Sequence, residues 1–361
     1  MHAADHFAPN YAEARGMFLA AADAAGLARQ AHRHPLLGRD GELLAMDVAR
    51  FGPAGAARLL LISSACHGAE GFCGSGVQHA LLSDPSFHNQ AAEAGVAVLY
   101  VHALNPYGFS WLRRVTHENV DLNRNFHDFS RPLPENPAYD ALAHLILPAT
   151  WPAAPDVTDA VDAWIAAQGQ RAWQKAVSSG QHSHPQGLFY GGRNPTWSQQ
   201  TLRHVLQDHG VRCTRLAWLD LHTGLGPSGH AEPIHAGPDG DAAALARARA
   251  WWGEVTSTHD GSSTSAPLTG LMWNAAHQEC PQAEHTGLAL EYGTLPLVDV
   301  LNALRAEHWL ENHPEADAAL ATAIKRQCRD AFYVDTDEWK RRVVEQGLTA
   351  ARQAVAGLAS A

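Results

Sequence analysis

The amino-acid sequence predicts an α/β fold built on a largely parallel sheet. Short apolar runs bounded by turn residues alternate with helical segments, and polar side chains follow several of the runs directly. A first strand is predicted over 43–51, with a turn at Gly52. Strands over 58–65 and 95–104 follow, with a helix near 74–83 between them. Strand, helix and strand in this order are typical of a crossover in a parallel sheet.

The rest of the chain continues this alternation without a repeat or a low-complexity linker. The further helices are predicted over 10–29, 138–147, 156–178, 197–209, 240–252 and most of 297–358, and the further strands over 215–222 and 287–293. A polar stretch over 256–266 predicts a mobile loop. We therefore expect a single domain over 1–361, in which inserted helices and a loop at 130–210 form a wall or lid of the active site.

Composition excludes several classes of function. The 361 residues carry a formal net charge of −11 and no basic stripe, which argues against nucleic-acid binding. No apolar run approaches the roughly 20 residues that cross a membrane. The five cysteines form no C-x-x-C pair, and the first residues lack the features of a secretory signal, so a cytoplasmic location is expected. Oligomeric state is not set by the sequence.

The string HGAEG, which follows the strand predicted over 58–65, supplies the first candidate metal ligands. His67 and Glu70 lie three positions apart in a glycine-rich turn at a strand end, and together they suit one divalent ion, such as zinc. The spacing alone is weak evidence. It recurs at His308 and Glu311, in a helical segment with no other candidate ligand near it.

Two further apolar strands end in side chains of the right chemistry. His222 closes the string WLDLH, and it would complete a His₂Glu set that leaves a fourth zinc position open. Glu291 closes LALE, where burial would raise the carboxyl pKa as a general base requires. Considered without the other strings, His222 would be a strand-end histidine whose hydrogen bonds are satisfied, and Glu291 would be a carboxylate paired with an arginine.

A polar segment that ends in DLNRNF offers groups for substrate binding. Arg124 presents a planar fork for a carboxylate, and Asn123 beside it can add a hydrogen bond. Arg113 or Arg114 could hold an oxyanion. Asp121 could accept the free N–H of a ligand histidine. Without the other strings this segment would be an ordinary polar loop.

The four strings H-x-x-E, R…DLNRNF, DLHTG and LEYGT, in this order over roughly residues 55–295, resemble the zinc carboxypeptidase superfamily. The resemblance implies an α/β sandwich with a mixed, mostly parallel, twisted sheet of about eight strands flanked by helices. It implies one Zn²⁺ held by His67, Glu70 and His222, with Glu291 as the base. By the same match, Asn123 and Arg124 bind the substrate carboxylate and Arg114, rather than Arg113, stabilises the oxyanion.

Two departures from that family bear on the substrate. Digestive carboxypeptidases bring a tyrosine over the substrate from a loop between the third ligand and the base, but no tyrosine lies between His222 and Glu291. Tyr190, in the string GLFYGG, is a candidate substitute. The glycine-rich HGAEG with DLNR and DLHT is also similar to the aspartoacylase and succinylglutamate desuccinylase branch, which removes an acyl group from an amino acid.

The leading hypothesis is a zinc metallocarboxypeptidase that acts on a small peptide. An N-acyl-amino-acid deacylase with the same metal and base is the alternative, and a non-catalytic zinc or ligand-binding protein is a third interpretation. A serine hydrolase is disfavoured because the chain has no G-x-S-x-G motif. Cys66 or Cys73 could act as a nucleophile, although small buried thiols are the commoner role for such residues.

Overall fold

A seven-stranded mixed sheet forms the centre of the protein in a computed structural model that describes residues 2–238 and 240–360. The strand order is β1-β2-β4-β3-β5-β7-β6. The strands are β1 (Ala28–Leu37), β2 (Leu43–Phe51), β3 (Arg58–Ser64), β4 (Val96–His102), β5 (Arg215–Thr223), β6 (Ala231–His235) and β7 (Glu284–Tyr292).

The four central strands β4, β3, β5 and β7 are parallel, and the strands outside them pair antiparallel. Their near-continuous apolar sequences suit strands that are covered on both faces. The predicted α/β class and mixed sheet are therefore confirmed, with seven strands among the described residues where about eight were expected. The carboxyl ends of the central strands meet at one edge, where ligands bind in open α/β sheets.

Two edge strands escaped prediction because their sequences carry little apolar signal. β1 is exposed along most of its length, and its residues ARQAHRHPLL show no alternation. The helix predicted over 10–29 is wrong in its last five residues, since the helix ends at Ala24 and β1 begins at Ala28. β6 has only five residues and includes Pro233, whose missing N–H is tolerated at a sheet edge.

Helices cover both faces of the sheet and its carboxyl edge. They are α1 (Tyr11–Ala24), α2 (Gly71–Leu82), α3 (Pro85–Glu93), α4 (Pro106–Ser110), α5 (Pro137–Ile146), α6 (Pro155–Gln168), α7 (Gln170–Ser178), α8 (Trp197–Gly210), α9 (Ala242–Trp252), α10 (Trp273–Glu279), α11 (Leu297–Glu311), α12 (Ala318–Phe332) and α13 (Asp337–Ser360). Helices α1, α2, α3, α9 and α13 pack on one face, and α8 and α10 pack on the other. Helices α5, α6, α7, α11 and α12 share a third hydrophobic cluster.

The inserted segment contains one helix more than predicted, and Gly169 accounts for the difference. The single helix predicted over 156–178 is two helices, α6 and α7, because Gly169 between them has φ +91° and ψ 151°. That backbone conformation is open essentially to glycine alone. In the described part of the chain no helix has both the length and the apolar character needed to cross a membrane.

Candidate metal centre and substrate cavity

The turn after β3 places His67 and Glu70 at the carboxyl edge of the sheet. A single 3₁₀ turn, Gly68–Glu70, leads directly into α2. Its backbone N–H groups at Gly68 and Ala69 donate to the carbonyls of Arg114 and Arg113, at 3.1 and 2.8 Å. A side chain at Gly68 would overlap the backbone of Gly108 and the next residue, so only glycine allows this close approach.

The structure brings together His67, Glu70 and His222, the three ligands predicted from sequence. Nδ1 of His67 lies 2.7 Å from Oε1 of Glu70, and Nδ1 of His222 lies 3.0 Å from Oε2 of the same carboxylate. All three side chains are buried, and their donor atoms lie within 4.8 Å of one another. Two imidazoles and a carboxylate at such spacing could hold a divalent metal ion.

The outer nitrogens of both histidines face carboxylates, as they do around protein-bound metals. Nε2 of His222 donates to Asp220, and Nε2 of His67 lies 3.3 Å from Oδ1 of Asp121. Burial lowers the pKa of His222, but Asp220 and Glu70 together raise it well above its ordinary value. The proton on its Nδ1 is the one that a cation would replace. The donor set and its supports therefore fit a bound metal.

Asp220 is a site residue that the sequence reasoning missed. It precedes His222 by two positions on β5, and residues two apart on a strand point to the same face. Ser63 Oγ on β3 donates to Asp220 Oδ1 at 2.6 Å, so the carboxylate has a second partner. The string DLH in the sequence indicates this contact, because a carboxylate two positions before a strand-end histidine can reach its ring.

Glu291 lies beside His222, because the two residues are register partners on the parallel strands β7 and β5. Its Oε1 accepts the backbone N–H of Leu225 at 3.0 Å. Burial and the neighbouring carboxylate of Glu70 raise the pKa of Glu291 to about 8. A carboxyl group with this pKa can exchange a proton near neutral pH.

The two adjacent arginines have different surroundings. Arg114 lines the cavity, donates to Asp121 Oδ2 at 2.9 Å and lies 3.1 Å from Glu70 Oε1. Its Nη2 is also 2.8 Å from Nε2 of His67. Arg113 is turned away, with its Nε 2.7 Å from Oε1 of Glu307. Of the two arginines that the sequence left open, Arg114 is the one placed at the candidate centre.

Asn123 and Arg124 also line the cavity. The Asn123 side-chain carbonyl accepts the N–H of Met272 at 3.0 Å, which fixes the orientation of the amide. Arg124 donates to the carbonyl of Ser178 through Nε at 3.0 Å and Nη2 at 2.7 Å. Burial lowers the pKa of Arg124 to about 10, so its guanidinium is charged at pH 7. A buried cation of this kind can bind a carboxylate.

A cavity surrounds these groups. The inserted segment contributes Gln174, Ser178 and Phe189 to its lining, whereas Tyr190 is not among the lining residues. The backbone carbonyl of Tyr190 instead accepts the N–H of Asp121 at 2.8 Å. Phe189 stacks below the Arg114 guanidinium at 5.1 Å, a cation–π contact that the sequence did not indicate.

The alternative candidates, the second His-x-x-Glu string and the cysteines, lie outside this centre or are buried. Glu311 of the second His-x-x-Glu string contacts Lys325 at 2.6 Å, and no group of potential ligands among the described residues includes His308. All five cysteines are free and buried. Burial raises the pKa of the Cys66 and Cys73 thiols well above the ordinary value, which disfavours a thiolate nucleophile.

The chain belongs to the family described as protein of unknown function DUF2817, whose model matches residues 7–346. A search of curated protein sequences returned no match.

Solved structures to which the chain is similar include two metallo-carboxypeptidases and one protein of the succinylglutamate desuccinylase/aspartoacylase family. A metallo-carboxypeptidase from Burkholderia cenocepacia is 12% identical with a TM-score of 0.43, over 96% of this chain and 68% of that one. A Pseudomonas aeruginosa metallo-carboxypeptidase is 14% identical with a TM-score of 0.39, over 91% and 68%. A Shewanella amazonensis protein described as belonging to the succinylglutamate desuccinylase/aspartoacylase family is 19% identical with a TM-score of 0.31, over 80% and 72%.

Proposed function

We propose that the protein is a zinc-dependent hydrolase that cleaves an amide bond next to a free carboxylate of its substrate. The observation that carries the proposal is the meeting of three metal-binding side chains with Glu291 at one sheet edge, where Nδ1 of His67 and Nδ1 of His222 both face Glu70. When bound there, zinc would polarise a carbonyl group and lower the pKa of a water molecule.

The chain's own groups supply the remaining chemistry. Glu291 takes a proton from the attacking water and returns it to the leaving amine, a role that its raised pKa of about 8 supports. The Arg114 guanidinium, beside Glu70 and Asp121, donates to the negative charge that develops on the carbonyl oxygen. Arg124, with the amide of Asn123, binds the free carboxylate and so fixes the position of the scissile bond.

Two activities share this mechanism. A metallocarboxypeptidase would remove the last residue of a short peptide, as the overall motif order suggests. An N-acyl-amino-acid deacylase would release an acyl group instead. The second candidate is favoured by the inserted segment, since Gln174 and Ser178 of α7 line the cavity and Gln174 joins α7 to the carbonyl of Thr264 beside it.

Metal analysis combined with a substrate panel tests the proposal on the purified full-length protein. We expect about one zinc per chain, loss of hydrolysis with a chelator and recovery on adding zinc. His222→Ala should lose the metal, whereas His230→Ala, at an exposed histidine, should keep it. Glu291→Gln should keep the zinc and lose roughly 10²- to 10⁴-fold in turnover. Near-normal turnover by Glu291→Gln would refute the mechanism.

A further inference from the structure

The cavity is lined by two groups of apolar side chains that belong to different hydrophobic clusters. We call the first the sheet wall, because its residues pack on one sheet face: Ile234, Leu271, Trp273 and Ala289. We call the second the helix wall, because its residues lie on α11 and α12 in the third cluster: Val300, Leu301, Leu304 and Phe332.

The reacting groups lie where the two walls meet. Glu291 follows Ala289 of the sheet wall by two positions on β7, so both side chains point to the same face. Thr223, next to His222, donates through Oγ1 to the carbonyl of Phe332 in the helix wall at 2.7 Å. A bond held at His222 and Glu291 therefore lies in a cavity that both apolar walls line.

Asn123, one of the two carboxylate-binding residues, adjoins the sheet wall, whereas Arg124 lies 5.6 Å from the ring of Phe189 in the third cluster. Asn123 accepts the N–H of Met272, which lies between Leu271 and Trp273 of that wall. An amino acid whose carboxylate is bound by Arg124 and Asn123 would direct its side chain along the sheet wall. The group on the other side of the scissile bond is then left to face the helix wall.

Neither wall carries a charged side chain. The charged side chains among the described lining residues are Glu70, Arg114, Arg124 and Glu291, and all four already belong to the centre. His235 lies near the sheet wall, but burial lowers its pKa, so the ring is neutral at pH 7. A charged substituent on either side of the scissile bond would lose its hydration without gaining a counter-ion.

Hydrogen bonds join chain segments that lie beside the cavity. Gln174 of α7 donates to the carbonyl of Thr264 at 2.9 Å, and Arg171 donates to the carbonyl of Ser265 at 3.1 Å. Glu232 accepts the N–H of Thr264 at 3.0 Å, which ties the same loop to β6. These bonds join the inserted segment to the loop at 264–265 beside the cavity, an arrangement that suits a small molecule better than a polypeptide tail.

We infer that the substrate is a small N-acyl amino acid that is apolar on both sides of its amide bond: an apolar amino acid with a free carboxylate, joined to an uncharged apolar acyl group. The inference rests on the proposed hydrolase function and names its substrate class. It excludes a succinyl group, an acidic amino acid and the ammonium group of an unblocked dipeptide, each of which would place an unpaired charge against an apolar wall.

The test compares four compounds on the zinc-loaded full-length protein: N-hexanoyl-leucine, N-succinyl-leucine, N-hexanoyl-aspartate and Leu-Leu. We expect kcat/KM for N-hexanoyl-leucine to exceed each of the others by about 30-fold or more, because each of them buries one unpaired charge. Equal or better turnover of the succinyl, aspartate or dipeptide compound would overturn the inference and leave the hydrolase proposal standing.

Two matched variants test the assignment of the walls. The quantities measured are ratios of kcat/KM between two substrates, because a general loss of stability leaves such ratios unchanged. Val300→Ala, in the helix wall, should lower the preference for hexanoyl over acetyl by about 3- to 10-fold and leave the preference for leucine over alanine unchanged. Ile234→Ala, in the sheet wall, should do the reverse. The wall assignment is wrong if both variants change both ratios alike.

Direct binding separates this inference from the proposed function. A calorimetric titration of the Glu291→Gln protein with N-hexanoyl-leucine measures binding without turnover. Saturable binding of this compound but not of N-succinyl-leucine, with no hydrolysis by the wild type, would support the substrate class and refute the hydrolase. Tighter binding of N-succinyl-leucine would overturn the substrate class whether or not the wild type is active.

Discussion

Asp220 and His222 point to the same face of strand β5, and the Asp220 carboxylate accepts a hydrogen bond from Nε2 of His222. The carboxylate is itself anchored, since Ser63 Oγ donates to it at 2.6 Å and Trp218 Nε1 donates to Ser63 Oγ at 2.7 Å. This buried series fixes the ring orientation of His222 and directs Nδ1 towards Glu70. The metal affinity of the centre should therefore depend on Asp220, although Asp220 is not one of the three predicted ligands.

Asp220→Asn tests this dependence. The amide can still accept a hydrogen bond from Nε2, but it lacks the negative charge that makes the ring a better ligand. We expect the zinc dissociation constant, measured by competition with a chromogenic chelator, to rise by roughly 10- to 100-fold. Asp208→Asn, at an exposed aspartate on α8, serves as the control and should bind zinc like the wild type. Equal affinities for the two variants would contradict the role assigned to Asp220.

Arg124→Ala should weaken the binding of substrates through their carboxylate. Its guanidinium is buried, and truncating a buried charged partner typically costs 2 kcal/mol or more, so KM should rise by about 30-fold for a substrate with a free carboxylate. KM for the matching carboxamide should change little, which separates a lost contact from a disturbed fold. Arg131→Ala, whose side chain is 80% exposed, is the matched control. A similar rise in KM for both substrates would argue against carboxylate binding at Arg124.

The sequence predicted the parts of the site that lie at the ends of apolar strands. His67, His222 and Glu291 each lie at or just after the end of a largely apolar strand, and parallel strands gather such positions at one edge. The choice between Arg113 and Arg114 could not be made in that way. It depends on the pairing of Arg113 with Glu307, a residue 194 positions away.

The parts that escaped prediction depend on tertiary contacts. β1 is held by pairing with β2 and carries no apolar periodicity, so the local sequence did not indicate a strand. Phe189 reaches the cavity with φ +53°, a conformation that no sequence pattern at GLFYGG demands. Tyr190, the neighbour chosen from sequence, does not line the cavity. The cavity walls combine residues from two clusters that only the complete fold brings together.

A pair of glycine substitutions should change stability in opposite directions. Gly169 has φ +91° and open space around its Cα, so an alanine there meets no clash but strains the backbone, at a cost of about 1–3 kcal/mol. Gly16 lies on the exposed side of helix α1, also with open space, and Gly16→Ala should stabilise by about 0.5–1 kcal/mol. Urea denaturation of both variants measures the two changes. Stabilisation by Gly169→Ala would show that the break between α6 and α7 is not imposed by this residue.

The buried ion-pair cluster around Glu307 should give the protein a specific sensitivity to acid. Glu307 is fully buried and lies 2.7 Å from both Arg113 Nε and Lys325 Nζ. Although burial alone would raise it, these cations lower the pKa of Glu307 to about 2. Since the folded-state pKa is below the unfolded value, the carboxylate stabilises the protein above about pH 4.3, and this stabilisation is lost as the pH falls towards 2.

Glu307→Gln leaves the two cations buried without their partner, so we expect a loss of about 3–5 kcal/mol at pH 7. Glu311→Gln is the matched control, because Glu311 contacts the same cations but is one-third exposed, and it should cost about 1 kcal/mol or less. The difference between wild type and Glu307→Gln should shrink by roughly half when urea denaturation is repeated at pH 3, since the wild-type carboxylate is then losing its advantage. A difference that stays constant from pH 7 to pH 3 would mean that packing, and not the charge of Glu307, provides the stabilisation.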